Sequence, residues 1–313
     1  MSTVTAETSL SHSAVRARNQ RLGIIAMTFQ TIIASLAYGF TRTAAAEFHP
    51  FVLPFLRMVG AGLIFVVLFF LRGGLQGRSH QLSDWLKFLL LGLLGISINQ
   101  ASYMIGLKYT TSANGAVIYA MTPLIVLLFS VWVVRTETFS FGKIIGIAIA
   151  LIGVGLVLFA RGISTDDQLM RGNLIMLCGA MSWSLYIALS KKWLYGYDSI
   201  QATALIMMLG TLIYSPVGLW YLGEFEPSKI SLKAWIAFGY VTIFMSVVMY
   251  VLLNYALSKI ESSLVSIFMN GQPVGAALFG VLFFNEPLTW NVAIGGLIAI
   301  SGIYIMQQAQ LGR

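Results

Sequence analysis

Much of the stretch from Leu107 to Gly153 is written a second time further along the chain. Leu107, Ser112, Pro123, Leu128, Phe129 and Val131 recur as Leu257, Ser262, Pro273, Leu278, Phe279 and Val281, each pair 150 residues apart. After a one-residue slip the spacing is 149, as in Glu137/Glu286, Ile145/Ile294, Gly146/Gly295, Ile149/Ile298, Ala150/Ala299 and Gly153/Gly302. Upstream, Ser35-Leu36 lies over Ser184-Leu185 and Thr41-Arg42 over Ser190-Lys191. Each copy reads as an apolar helix with a central proline, a short turn carrying Glu, and a Gly/Ala-rich apolar helix. A chain duplicated in this way must fold into two like units.

The solvent those units need follows from composition. The 313 residues are 58% hydrophobic and only 10% charged, with mean hydropathy +0.84. Soluble domains carry roughly 25% charged residues. Apolar runs of about 20 residues, the length that crosses a hydrocarbon core, recur almost end to end. The expected fold is an all-α polytopic membrane protein with ten transmembrane helices, near 22–42, 50–71, 83–106, 113–134, 141–160, 171–193, 199–222, 232–255, 262–284 and 290–308. The unit is five helices. An odd number of crossings makes the second copy enter from the opposite side, so the halves are inverted repeats. The expected organisation is a cytoplasmic tail 1–21, a first repeat 22–160, a linker 161–170, a second repeat 171–308 and a tail 309–313. Twelve loop or tail Lys and Arg fall on the N-terminal side, against six (Arg42, Lys108, Arg161, Arg171, Lys229 and Lys233) on the other. The positive-inside rule then puts both termini in the cytoplasm.

Several function classes lose support at this point. The net charge of +8 is spread singly over helix ends, so no continuous basic face exists to release counterions from nucleic acid. His12, His49 and His80 lie far apart in the tail or loops, and Asp and Glu occupy the tail, loops and helix ends. Neither a nucleophile–base pair nor a metal-ligand set is assembled. Gly153-Val154-Gly155 sits inside an apolar span, with no strand before it, and is no dinucleotide loop. The lone Cys178 allows no disulfide framework. No enzyme activity and no cofactor or metal is expected.

The spans do carry uncharged polar and aromatic side chains at helical spacing. Gln30, Ala34, Tyr38 and Thr41 share a face, as do Asn99 and Tyr103. Ser182, Tyr186 and Ser190 do so beside Trp183, and Ser246, Tyr250 and Asn254 repeat the pattern. Tyr119 precedes Pro123, while Ser266 and Asn270 precede Pro273. Singly, such groups often just bond neighbouring helices, at roughly 0.6 kcal/mol each. Their repeat-related placement favours a pocket between the halves, because polar groups at that depth turn away from lipid. Pro123 and Pro273 each remove a backbone hydrogen bond, and their paired positions suggest a paired hinge. Arg57 is the one charge clearly inside a span; it has no charged mate, since Met207 occupies the equivalent place, and either caps carbonyls or meets a substrate. Gly146-x-x-x-Ala150 and Gly295-x-x-x-Ala299 read as helix-packing surfaces.

Arg57, the Ser182-Trp183-Ser184-Leu185-Tyr186 stretch, Pro123 and Pro273, and Glu137 and Glu286 before the Gly-rich closing helices together resemble the drug/metabolite transporter superfamily, in its ten-helix EamA branch. The resemblance runs from about residue 22 to 308. One departure is Ala37-Tyr38-Gly39-Phe40, where many relatives have a Trp-Gly pair. The resemblance implies a bacterial inner-membrane protein with a central cavity that moves small-molecule substrates across the lipid bilayer by alternating access. Its substrates would be amino acids or related metabolites, including aromatic ones. Toxic organic cations are the alternative, with a membrane scaffold or channel behind them. Gln30, Tyr38, Asn99, Tyr103, Tyr119, Trp183, Tyr186, Tyr250, Asn254 and Asn270 are the expected substrate contacts.

Overall fold

The computed structural model describes residues 2–74, 81–159, 169–284 and 290–311. Glu286 and most of the expected linker lie outside the described residues, as does the side chain of Tyr38. Among the described residues the chain is helical without strands and makes ten rods in sequence order. These are α1 (Ser2–Ala45), α2 (Val52–Leu71), α3 (Leu82–Leu107), α4 (Ser112–Ala120 and Thr122–Leu128, prolonged by Phe129–Val133) and α5 (Phe141–Phe159). The second half supplies α6 (Met170–Trp193), α7 (Ser199–Leu222), α8 (Leu232–Lys259), α9 (Ser262–Met269 and Gly271–Phe284) and α10 (Trp290–Leu311). Among the described residues seven helices are long and apolar enough to cross a membrane. The apolar parts of α5 and α10, Phe141–Leu156 and Ala293–Ala309, are shorter, and α9 is divided at Asn270.

Polar side chains start several of these rods. Thr111 caps α4 by accepting from the Asn114 N–H at 3.1 Å. Asp198 accepts from Ile200 and Gln201 at the start of α7, and Ser231 accepts from Ala234 at the start of α8. Such caps satisfy N–H groups that a helix end leaves open.

The inverted repeat is visible contact by contact. α1 packs on α8 and α9, and its mate α6 packs on α3 and α4. α2 pairs with its own mate α7, α4 with α9, and α5 with α10. Single residues obey the same rule. A side chain at Gly23 would strike Ile260 and Lys259. One at Gly172, the repeat mate of Gly23, would strike Thr110 and Tyr109, the mates of those two partners. We call the side carrying the α4–α5 turn and the end of α8 the near face, and the side carrying Glu47 and Ser231 the far face.

The tightest crossing is between α5 and α10. A Cβ on Gly153 would overlap the Ala299 nitrogen and lie 2.6 Å from the Gly295 oxygen, and one on Gly302 would lie 2.5 Å from the Ala150 nitrogen. Between lipid tails no hydrophobic force draws helices together, so backbone approach through small residues must do it. The Gly-x-x-x-Ala surfaces therefore pack as their spacing predicts. On the far face Glu47, in the turn after α1, accepts from the Ser231 N–H at 2.6 Å and its hydroxyl at 2.7 Å. Those bonds hold the Glu47 carboxyl below its ordinary pKa.

Two outcomes are expected. Gly153→Leu should force α5 and α10 apart, at a cost of about 1–3 kcal/mol or more, read as a lower melting temperature in detergent. Because the Glu47 pKa is depressed, its clamp should be complete above the usual carboxylate range and be lost as pH falls through the lowered value. Hydrogen exchange at the turn should rise only in acid, and Glu47→Gln should raise it at neutral pH.

Candidate functional site

A proline inside a span leaves a carbonyl without its N–H partner, and in hydrocarbon that carbonyl needs another donor. Pro123 cannot bond the Tyr119 carbonyl four residues back; the Thr122 hydroxyl does so at 2.6 Å. α4 breaks at Met121, and α9 breaks at Asn270, so Pro123 and Pro273 each fall in the first turn of a new segment, where proline is tolerated. α1 dresses the α9 break: Thr31 donates to the Phe268 carbonyl at 3.1 Å and Ser35 to the Gln272 carbonyl at 3.3 Å. The two breaks also touch. Asn270 Nδ2 donates to the Ala120 carbonyl at 3.1 Å, across 150 residues, which is the repeat spacing itself.

Two other helices open their backbone as well. α3 widens over Leu93–Ile98 and α8 over Val241–Val248, at repeat-related positions. The carbonyls freed in α3 are taken by α6 and α8: Ser182 donates to Leu94 at 2.8 Å and Tyr250 to Gly95 at 3.3 Å. Wide turns of this kind mark functional sites in many helices.

The expected contact residues fall into three groups. Asn99 accepts from the Tyr119 hydroxyl at 2.7 Å, and the Tyr103 and Tyr119 rings meet edge to face at 5.7 Å. Trp183 stacks on Tyr186 at 5.1 Å and meets Tyr250 edge-on at 5.8 Å. These two groups come from α3, α4, α6 and α8, and Asn99, Tyr103, Tyr119, Trp183 and Tyr250 all keep partial access. The third group is enclosed. Tyr186 is 0% exposed and donates to Asn254 at 3.1 Å, while Asn254 donates to Thr203 at 2.9 Å. Gln30 and Asn270 are likewise buried, with Gln272 donating to Gln30 at 3.4 Å.

Arg57 points from α2 into the same interior. Its Nη2 donates to the Gln100 side-chain Oε1 at 3.0 Å, its Nε is buried without a partner, and Tyr250 and Tyr214 lie within electrostatic range. Among the described residues it forms no ion pair.

Sequence reasoning left one cluster unrecognised. At the near face Lys143 is 0% exposed and meets Glu137 at 2.8 Å and Glu261 at 2.7 Å. The Glu261 contact is ionic, at an angle that leaves its oxygen without a hydrogen bond. Glu137 also accepts from the Ser263 N–H at 3.0 Å and from the Ser263 hydroxyl. The cluster ties the α4–α5 turn to the start of α9. The duplicated glutamate was the available signal, but Lys143 at a helix start reads as a solvated charge.

The EamA-like transporter family model matches twice, at residues 21–159 and 170–307. The chain belongs to the EamA-like transporter family. Its relatives include an uncharacterized transporter of Archaeoglobus fulgidus, 28% identical, with 92% of this chain and 97% of the relative covered. The uncharacterized transporter YyaM of Bacillus subtilis is 27% identical, covering 78% of this chain and 80% of its own. A solved protein structure superposes with TM-score 0.78 at 20% identity, over 94% of this chain and 97% of the other, which speaks to the fold.

For this EamA-like transporter the near-face cluster gives a sharp energetic test. Removing one member of a buried ion group strands the others, at about 3–5 kcal/mol, whereas removing all of them is often close to neutral. Lys143→Met alone should therefore lower thermal stability strongly. Glu137→Gln, Glu261→Gln and Lys143→Met together should recover most of the loss.

Proposed function

We propose that this chain exports small metabolites, amino acids or related compounds including aromatic ones, by alternating access between its two inverted halves. The observation that carries the reading is the bond from Asn270 to the Ala120 carbonyl, which sets the α4 and α9 breaks against each other. Broken helices facing one another at a repeat interface are where secondary transporters place substrate. The partly accessible Asn99, Tyr103, Tyr119, Trp183 and Tyr250 supply hydrogen-bonding groups and ring faces; Tyr186 and Asn254 back Trp183 and Tyr250, Gln30 and Asn270 line the α9 break, and Tyr38 is the remaining expected contact. Pro123 and Pro273 act as the hinges, because segments separated at Met121 and Asn270 can tilt without losing intact helical hydrogen bonds. The near-face ion cluster closes one mouth and must part when that mouth opens.

The surplus of Lys and Arg at the near face supports a cytoplasmic location for both termini. With the bacterial relative, it supports a place in the inner membrane of a bacterium. Counterflow in proteoliposomes across labelled amino acids tests the transport reading, and failure to exchange any solute would remove it. Pro273→Ala, which lets α9 run on as one helix, should slow exchange severalfold while the yield of folded protein falls little. Equal loss of both would show that the break serves folding alone.

A further inference from the structure

An arginine in a membrane interior is among the most expensive residues a bilayer accepts, and it is kept where something offsets that cost. For Arg57 the offset is incomplete. One of its nitrogens has Gln100, one is buried bare, and no carboxylate is paired with it among the described residues. Its neighbours Tyr214 and Tyr250 bring phenols and no carboxylate, and the Tyr214 hydroxyl is itself buried without a partner. Gln100 fixes the guanidinium plane through one edge, which leaves the rest of a rigid donor fork facing the interior. The side chain retains partial access, as do Gln100, Tyr250 and Trp183. A fixed positive charge with unfilled donors beside reachable aromatic rings is half of an ion pair.

We propose that the missing half is the substrate's: the interior takes a monoanionic organic acid, whose carboxylate docks on Arg57 and whose apolar or aromatic body lies against Tyr250 and Trp183. The inference rests on the transport reading and narrows it. A single cation matches one negative charge, so a dicarboxylate or a phosphate dianion would bring an uncompensated charge into low dielectric. An organic cation is disfavoured outright, because it would enter beside Arg57 with no carboxylate among the described residues paired to that arginine to offset the repulsion. An ammonium group is tolerated only together with the carboxylate, as in an amino acid.

The test uses purified full-length protein in detergent and three probes of matched shape: 3-phenylpropionate, L-phenylalanine and phenethylamine. Binding is followed by tryptophan fluorescence and exchange by counterflow in proteoliposomes. The two carboxylates should bind, with phenethylamine at least tenfold weaker. Arg57→Gln should weaken 3-phenylpropionate at least tenfold, and Arg57→Lys less than that. Should Arg57→Gln fail to fold, Gln100→Glu decides the matter. It supplies an internal carboxylate to the guanidinium, so it should preserve or raise thermal stability while cutting carboxylate affinity at least tenfold. An arginine that merely caps carbonyls predicts no such loss. Unchanged affinity in Gln100→Glu, equal binding of phenethylamine, or binding of none of the three would overturn the proposal. Exchange of phenethylamine alone would sink it and leave transport standing. Arg57-dependent binding of 3-phenylpropionate with no exchange of any probe would do the reverse.

Discussion

Inside a bilayer every peptide group must find its partner within the protein, and that one requirement organises this molecule. At four places where the chain leaves regular helix, a named donor arrives. Thr122 takes the Tyr119 carbonyl, Ser182 takes Leu94, Tyr250 takes Gly95, and Asn270 takes Ala120. None of these donors could face lipid at tolerable cost. The departures from helix and the polar side chains therefore have to share the interior, and they do so between the halves. The candidate site is the place where the backbone is open, seen from its side chains.

Duplication explains how so apolar a chain specifies one arrangement. Lipid competes evenly for Leu and Ile side chains, so apolar contact alone would leave helix order and register poorly fixed. Close glycine crossings fix them, since they tolerate almost no sliding. Gly92 lies against Gly210 and Ile206, and Gly60 against Thr242, in repeat-related pairings of α3 with α7 and α2 with α8. Together with the α5–α10 crossing, these contacts fix α2, α3, α5, α7, α8 and α10 against the rods they touch. One set of instructions, used twice and inverted, generates both halves.

The fold was readable because its determinants are local or periodic. Prolines separated by one repeat interval, small residues one helical turn apart and apolar runs of span length need no knowledge of partners. The site was readable to the level of which helix faces are polar. Periodicity could not separate Tyr250, which keeps access, from Tyr186, which is sealed behind it by Asn254 and Thr203. Both occupy polar faces, and only three-dimensional packing decides which one looks into space. Lys143 was out of reach for another reason. Its carboxylate Glu137 is held by Ser263 from the opposite half of the chain, and nothing near position 143 announces that contact. Gln100 was overlooked beside Asn99 because its meaning depends on Arg57, one helix back.

The places where the repeat fails bear most directly on direction. Two halves identical in sequence would give inward-open and outward-open forms of equal energy, and a carrier built from them would have no resting bias. Of the near-face cluster only Glu137 has a like mate, Glu286, which lies outside the described residues; the mates of Lys143, Glu261 and Ser263 are Val292, Thr111 and Ala113. In the proposed cycle, a buried ion group that the other end cannot match in sequence would favour closure of its own mouth by the difference between its strength closed and its hydration open. A difference of about 1.4 kcal/mol is enough to shift the two populations tenfold. Arg57, opposite Met207 in the repeat, breaks the symmetry of the interior in the same way. An anion docked there, as proposed, would weigh on one half more than on the other. In the proposed cycle, symmetry supplies the motion, and these few unmatched charges supply the reasons for it to stop.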